Sequence, residues 1–324
     1  MLRTELVGLN SLEKAAELLK KGELVAFPTE TVYGLGASIF NVVAIRKIFA
    51  AKKRPADNPL IAHIASLKDL EHIAVDIPDD FYRLAEVFFP GPLTVLLPKH
   101  SSVPIEASAG LSTIGVRMPA HNVARQLIAL VGEPLVAPSA NLSGKPSSTH
   151  HEHVFEDFEG KIAAVVEGGQ CLIGLESTVI SLQDPARPLI LRPGEITPLQ
   201  LQEILKKKVV ISPLLQGFSS TASSPGMKYR HYAPKAPIKI FYSEKELLVY
   251  LKHTPLVNKI LLVSEKQKAN FSLWEPYILS NKNFYSILRL SDKKGYEEIL
   301  VLCDQEDQQN AALMNRLSKA ASLC

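Results

Sequence analysis

Cysteine is scarce in this chain: Cys171, Cys303 and Cys324 are the only three in 324 residues. They are odd in number and show no metal-ligand spacing, which points to a reducing cytoplasm rather than a disulfide framework. No apolar run approaches the roughly 20 residues of a membrane helix, and Met1-Leu2-Arg3-Thr4-Glu5 lacks the apolar core of a signal peptide. A net charge of +3 is too small to demand nucleic acid, although it leaves room for a local basic patch. Three familiar signatures are also missing. There is no Gly-x-x-x-x-Gly-Lys-Ser/Thr phosphate loop, no Gly-x-Gly-x-x-Gly after the first strand and no Gly-x-Ser-x-Gly elbow. Cys171 has no histidine near it in sequence to activate it as a nucleophile.

What remains is an ordinary globular composition, 46% hydrophobic and 21% charged, in a chain long enough for two domains. Helix and strand signals alternate through residues 1 to 210. Asn10 and Glu13 read as a capping box before a helix with Leu12, Ala15, Ala16 and Leu19 on its apolar side. Gly22 stops that helix and a strand follows over residues 24–27. Asn41 caps a second helix whose buried side carries Val42, Ile45, Ile48 and Phe49. Further strands are expected at 60–65, 93–97, 114–116, 135–137, 162–166, 178–182 and 189–191, with helices at about 79–88 and 123–131. This is an α/β layout with a mixed twisted sheet over residues 1–211. Residues 212–237, rich in Ser, Pro and Gly, read as a linker. Residues 238–324 form a small second α/β domain, with strands at 238–241, 259–263 and 298–303 and helices at 244–251 and 310–322.

The polar residues gather where apolar strands begin or end. Pro28-Thr29-Glu30-Thr31-Val32-Tyr33-Gly34 packs two hydroxyls, a carboxylate and a phenol onto one turn. Lys52-Lys53-Arg54-Pro55 has two readings, cations at a helix C-terminus or a phosphate clamp with Lys52 as point charge and Arg54 as planar fork. Arg117 closes a buried strand, so it needs a partner there, either a protein carboxylate or a bound anion. Ser139 and Asn141 follow another strand, and Glu176-Ser177 and Arg192 repeat the pattern. In an α/β sheet, strand ends line a crevice where ligands bind. Two or three cations, several hydroxyls and an amide, with no evident nucleophile, suit a nucleotide site working by positioning and charge neutralisation. His150-His151-Glu152-His153 invites a metal reading, but adjacent histidines on a polar loop read as a solvated run.

Taken in order, these segments resemble the long, two-domain threonylcarbamoyl-adenylate synthases of the YrdC-like family. The resemblance rests on residues 28–35, Lys52-x-Arg54, residues 58–63, 90–94, 116–119, 139–141, 176–178 and 191–194, and on residues 224–234 in the linker. Asn315-Arg316-Leu317 is similar to the end of the family's second domain, so the resemblance covers nearly the whole chain. It implies a YrdC-like domain followed by a small Rossmann-like one. It also implies a reaction of L-threonine, bicarbonate or CO2, and ATP to threonylcarbamoyl-AMP and pyrophosphate, with Mg2+ on the nucleotide phosphates. The product feeds a tRNA modification completed by a separate transferase complex. By the same resemblance, Lys52, Arg54, Ser139 and Asn141 are catalytic. The nucleotide contacts are these four with Asn58, Thr113, Ser147, Arg192 and Tyr229. Thr31, His63, Arg117 and Ser177 hold threonine, and Tyr229, His231 and Tyr232 close over the site from the linker. Two alternatives compete: a module that binds double-stranded RNA or the ribosome, and another carbamoyl-transfer enzyme like the hydrogenase maturation proteins. The zinc-finger cysteines and acylphosphatase segment of the latter are absent here.

Overall fold

The computed structural model describes residues 3–213, 232–254 and 256–322. The chain divides into two compact units. One comprises Met1–Ser143 and Ser147–Tyr229, the other Gly144–Pro146 and Arg230–Cys324. Of the expected linker, residues 214–231 lie outside the described residues, Tyr229 and His231 among them.

The first unit is built on strands β1 (Glu5–Val7), β2 (Val25–Phe27), β3 (Gly34–Ser38), β4 (Ile61–His63), β5 (Leu93–Pro98), β6 (Thr113–Arg117), β7 (Leu135–Val136), β8 (Ala164–Val166), β9 (Thr178–Ser181), β10 (Leu189–Arg192) and β11 (Val210–Ile211). They hydrogen-bond in the order β1-β8-β2-β3-β7-β4-β6-β5-β9-β10-β11. Pairing is mixed: β4 runs parallel to β6, and β5 to β9, while β3–β7 and β5–β6 are antiparallel. The helices are α1 (Leu12–Lys20), α2 (Val42–Lys52), α3 (Asp79–Phe88), α4 (Ile105–Ser108), α5 (Asn122–Val131), α6 (His151–Phe158) and α7 (Pro198–Leu205). Two larger apolar clusters and a small one of Leu96, Val179 and Leu191 result among the described residues. Val25, Phe27, Leu135, Ala164 and Val166 pack with α1 and α5, while the larger cluster takes Ala26, Leu35, Ala62, Val95 and Val116 with α2 and α3.

Local chemistry explains most of these elements. In α1, Leu12, Ala15, Ala16 and Leu19 fall on one stripe and all are buried. Its expected capping box is not formed. Ser11 holds the cap position without a side-chain hydrogen bond, because a 3₁₀ turn over Leu9–Ser11 carries Asn10 out of register. Asn41 does cap α2, its Oδ1 accepting from the Ala44 N–H at 3.0 Å. The histidine run differs from expectation too. Residues 151–158 are helical, because Val154 and Phe158, four apart, supply a buried stripe while the histidines occupy the first turn. Strand β3 went unread in the sequence because two glycines weaken its signal. Gly36 is required by packing: a Cβ there would stand 2.7 Å from the Phe27 ring.

The second unit holds a four-stranded parallel sheet of β12 (Ile238–Phe241), β13 (Lys259–Val263), β14 (Tyr277–Ile278) and β15 (Glu298–Leu302), in the order β12-β15-β13-β14. Helices α8 (Glu244–His253), α9 (Phe284–Lys294), α10 (Gln305–Gln309) and α11 (Ala311–Ala321) accompany it. Helix α9 was not foreseen from sequence, although it buries Phe284, Tyr285, Ile287 and Leu288. Tyr232, expected over the active site, packs within this unit. It is nearly buried, with its ring centroid 5.2 Å from that of Tyr285 and the Arg316 guanidinium 5.8 Å from its ring. Among the described residues, no helix is long and apolar enough to cross a membrane.

Candidate active site

The turn between β2 and β3 is the organising centre of the first unit. Thr29 Oγ1 donates to the Val32 carbonyl at 2.6 Å and accepts from the Thr31 and Val32 N–H groups. With its only hydroxyl proton so used, Thr29 accepts from Thr31 Oγ1, 2.8 Å away. Residues 168–174 clasp the turn from outside. The Ile173 and Gly174 N–H groups bond the Glu30 and Thr31 carbonyls, and Tyr33 Oη donates to the Gly169 carbonyl while accepting from the Gly168 N–H.

Arg117 reaches this turn from the end of β6. Its Nη2 donates to Glu30 Oε1 at 2.6 Å, its Nη1 to Thr31 Oγ1 at 2.8 Å and its Nε to the Gly91 carbonyl at 3.3 Å. The sequence left open whether this buried charge meets a carboxylate or an anion, and the protein partner is Glu30. The other Glu30 oxygen accepts from the Ala120 N–H at 3.1 Å. Burial by itself would raise the Glu30 carboxyl, but the Arg117 charge and hydrogen bond, with backbone N–H groups, outweigh it and hold the pKa below the usual 4.5.

His63 ends β4 and stands opposite Arg117 in the parallel register. Burial first, and then the Arg117 charge, push its imidazole down to about 3. The ring is therefore neutral at physiological pH. Its Nδ1–H donates to the Ile61 carbonyl at 3.2 Å, which leaves Nε2 as an acceptor. Thr31 is constrained in the same way. Its proton goes to Thr29 and one lone pair to Arg117, so what it can still offer a ligand is acceptance.

Ser177 and Arg192 bring in β9 and β10. Arg192 Nη2 donates to Ser177 Oγ and its Nε to the Ser177 carbonyl, both at 3.0 Å, while Thr94 Oγ1 lies 2.8 Å from Ser177 Oγ. Ser147 Oγ donates to Glu176 Oε1 at 2.6 Å, with both residues buried. The residue contacts thus cross the division between nucleotide and threonine roles that the resemblance implies.

Lys52 closes α2 nearly buried. Its Nζ donates at 2.5 Å to the carbonyls of Ser139 and Asn141, drawing the turn after β7 against the helix end. Arg54 Nη2 folds back to the Asn58 and Pro59 carbonyls at 3.2 and 3.1 Å. Asn58 is 1% exposed, and among the described residues neither its Oδ1 nor its Nδ2 has a hydrogen-bond partner. A buried amide unmatched at both ends is costly, so a ligand offering one donor and one acceptor would relieve it. Thr113 begins β6 while Arg117 ends it, about 13 Å away at a strand's rise per residue. Asn58 precedes β4 and Thr113 begins the neighbouring β6, whereas His63 and Arg117 face each other at the strands' far ends.

Glu30, Glu176 and Thr94 carry contacts that the sequence reading assigned to no role. Glu30 had a signal, a lone carboxylate between two threonines, with an unpaired strand-end arginine elsewhere. Thr94 had none. Among the described residues, no group of three or more His, Cys, Asp or Glu side chains could hold a metal ion.

The comparisons with known proteins agree along nearly the full length. The family model described as Telomere recombination, that of the Sua5, YciO and YrdC proteins, matches residues 17–194. The model described as Threonylcarbamoyl-AMP synthase, C-terminal domain, matches residues 196–322. The chain is 45% identical over 318 residues to a threonylcarbamoyl-AMP synthase of Pyrococcus abyssi, covering 95% of this chain and 93% of that one. It is 40% identical over 323 residues to a threonylcarbamoyl-AMP synthase of Bacillus subtilis, covering 96% and 92%. The crystal structure of P. abyssi Sua5 complexed with L-threonine superposes with a TM-score of 0.89 at 41% identity, covering 98% of each chain.

Proposed function

This chain belongs to the threonylcarbamoyl-AMP synthase family, and we propose that it joins L-threonine, CO2 or bicarbonate, and ATP into threonylcarbamoyl-AMP and pyrophosphate. The observation that carries this reading is the polarity around Arg117. Buried donors on the guanidinium stand beside two groups that can only accept, Thr31 Oγ1 and His63 Nε2. That arrangement suits a zwitterion, its carboxylate on Arg117 and its ammonium facing the acceptors. A second support is the unmatched Asn58 amide at the other end of the same strands, which suits a nucleotide with adjacent donor and acceptor edges.

In the chemistry, threonine's amine loses a proton and bonds the carbon of CO2. A carbamate oxygen then attacks the α-phosphorus of ATP, and the bond from that phosphorus to the bridging oxygen breaks to release pyrophosphate. The reactants are anionic, so the residues' task is to hold them in line and offset charge. Arg192 and Arg54 contribute cations, while Lys52 shapes the Ser139–Asn141 turn through its two carbonyl bonds. Ser147 and Ser177 are held by Glu176 and Arg192 respectively. Mg2+ enters with ATP, as part of the substrate. No covalent enzyme intermediate is required, and burial pushes the Cys171 thiol up to about 12, which makes it a poor nucleophile. The product would pass, in the cytoplasm, to the separate complex that transfers the threonylcarbamoyl group to tRNA.

The test is direct incubation of the chain with ATP, Mg2+, bicarbonate and labelled L-threonine. Threonylcarbamoyl-AMP should form with matching pyrophosphate only when all are present. ATP binding without threonine-dependent product would overturn the reading and favour an RNA-binding or other carbamoyl-transfer role.

A further inference from the structure

The Glu30–Arg117 ion pair is almost wholly buried, at 5% and 4% exposure. Stability alone does not account for such a pair, because removing two charges from water offsets most of their attraction. Its hydrogen bonds suggest another use. Arginine has five N–H groups. One on Nε, one on Nη1 and one on Nη2 are taken by the Gly91 carbonyl, Thr31 and Glu30. Among the described residues, one N–H is left on each terminal nitrogen, which gives two further donors for a carboxylate.

We propose that Glu30 is a positioning residue: its carboxylate, bridging Arg117 Nη2 and the Ala120 N–H, sets the guanidinium so that its two remaining N–H groups meet the carboxylate of the amino-acid substrate. This rests on the reading of Arg117 as the partner of that carboxylate. Both neighbours of Glu30 are donors, Arg117 Nη2 to Oε1 and Ala120 N–H to Oε2. A carboxylate satisfies both. A glutamine of the same shape satisfies one and turns its own NH2 toward the other, so the residue must be an acid and not merely polar. Glu30 also offsets the Arg117 charge, so attraction for a substrate carboxylate depends on direction more than on net charge. Its main chain is anchored as well, its carbonyl accepting from the Ile173 N–H at 2.8 Å.

The experiment compares calorimetric binding of L-threonine and of L-threoninol, which lacks the carboxylate, to the full chain and its Glu30→Gln, Glu30→Asp and Arg117→Lys variants. Wild type should prefer threonine. Glu30→Gln should cut that preference by about ten-fold or more, the scale of a lost charged hydrogen bond, with ATP affinity unchanged. Glu30→Asp keeps the charge on a shorter arm and should also lose preference, which covers the case in which Glu30→Gln fails to fold. Wild-type preference in a folded Glu30 variant, with Arg117→Lys impaired, would overturn the role of Glu30 and leave that of Arg117 intact. Equal wild-type binding of the two ligands would instead overturn the reading of Arg117, and the Glu30 proposal with it.

Discussion

Arg192 grips Ser177 at two points, Nη2 on the hydroxyl and Nε on the carbonyl, each at 3.0 Å. The serine is fully buried, and its hydroxyl also faces Thr94 Oγ1 at 2.8 Å. One residue expected on the nucleotide and one expected on threonine are therefore parts of a single network, and substitutions in it should couple. Ser177→Ala removes the acceptor of the Arg192 Nη2 bond and the partner of the Thr94 hydroxyl in the interior. It should cost about 1–3 kcal/mol. Urea unfolding of Ser177→Ala, Thr94→Val and the double variant tests this, with the two effects expected to fall short of additive.

Lys52 should prove irreplaceable by arginine. Its ammonium fits between the Ser139 and Asn141 carbonyls at 2.5 Å, whereas a planar guanidinium of greater width cannot hold both from the same place. Lys52→Met and Lys52→Arg should each weaken ATP binding by about ten-fold or more as the turn loosens. Titration with ATP, alongside a melting curve for each variant, measures it. Wild-type affinity in Lys52→Arg would contradict the bracing role.

Acid should destabilise the chain earlier than carboxylates alone would require. His63 is held at about 3 when folded, against an ordinary 6.5. Its contribution is thus complete above pH 6.5 and is lost as pH falls toward 3, because the unfolded chain takes the proton first. The slope is at most about 1.4 kcal/mol per pH unit. Glu30, held below 4.5, adds loss in the same direction under that pH. Unfolding free energies at pH 7, 6 and 5 should fall for wild type and change less steeply for His63→Gln.

Gly194 has no room for a side chain. A Cβ there would lie 2.3 Å from the Thr178 nitrogen and 2.7 Å from the Ser177 carbonyl carbon. These are backbone atoms that cannot rotate away. Gly194→Ala should cost about 1–3 kcal/mol and should displace Ser177, lowering product formation as well as the melting temperature. Gly8→Ala, with nothing within 4 Å of the new methyl, should stay within about 0.5 kcal/mol of wild type.

The strongest elements were legible because their signal is local. Helix α1 shows its stripe in four residues, α2 shows its cap and a stripe of Ile45, Ile48 and Phe49 with Val42 only half-buried, and the apolar runs of β5 and β6 read as strands without help. Strand β3 and helix α9 were not legible. Glycines in β3 carry no apolar alternation, and Gly36 is demanded by the Phe27 ring packed against it. The His150–His153 run misled in the opposite sense, since its polar first turn hid the Val154 and Phe158 stripe behind it.

Among the site residues, sequence alone determined the types and the order: the threonine-rich turn, the lysine and arginine after α2, the strand-end arginines and the Ser-x-Asn turn. Those follow from which side chains can bind charge and which spacings end a strand. It also determined that Arg117 must have a partner, because a buried cation cannot go unmatched. Only the tertiary structure decided that the partner is Glu30, 87 residues away in sequence, and that Lys52 spends protons on two carbonyls rather than standing as a bare charge. The direction of the hydrogen bonds at Thr31 and His63 was decided there too. Such pairings depend on strand register and on which donors are already used, and neither is written in the neighbourhood of any single residue.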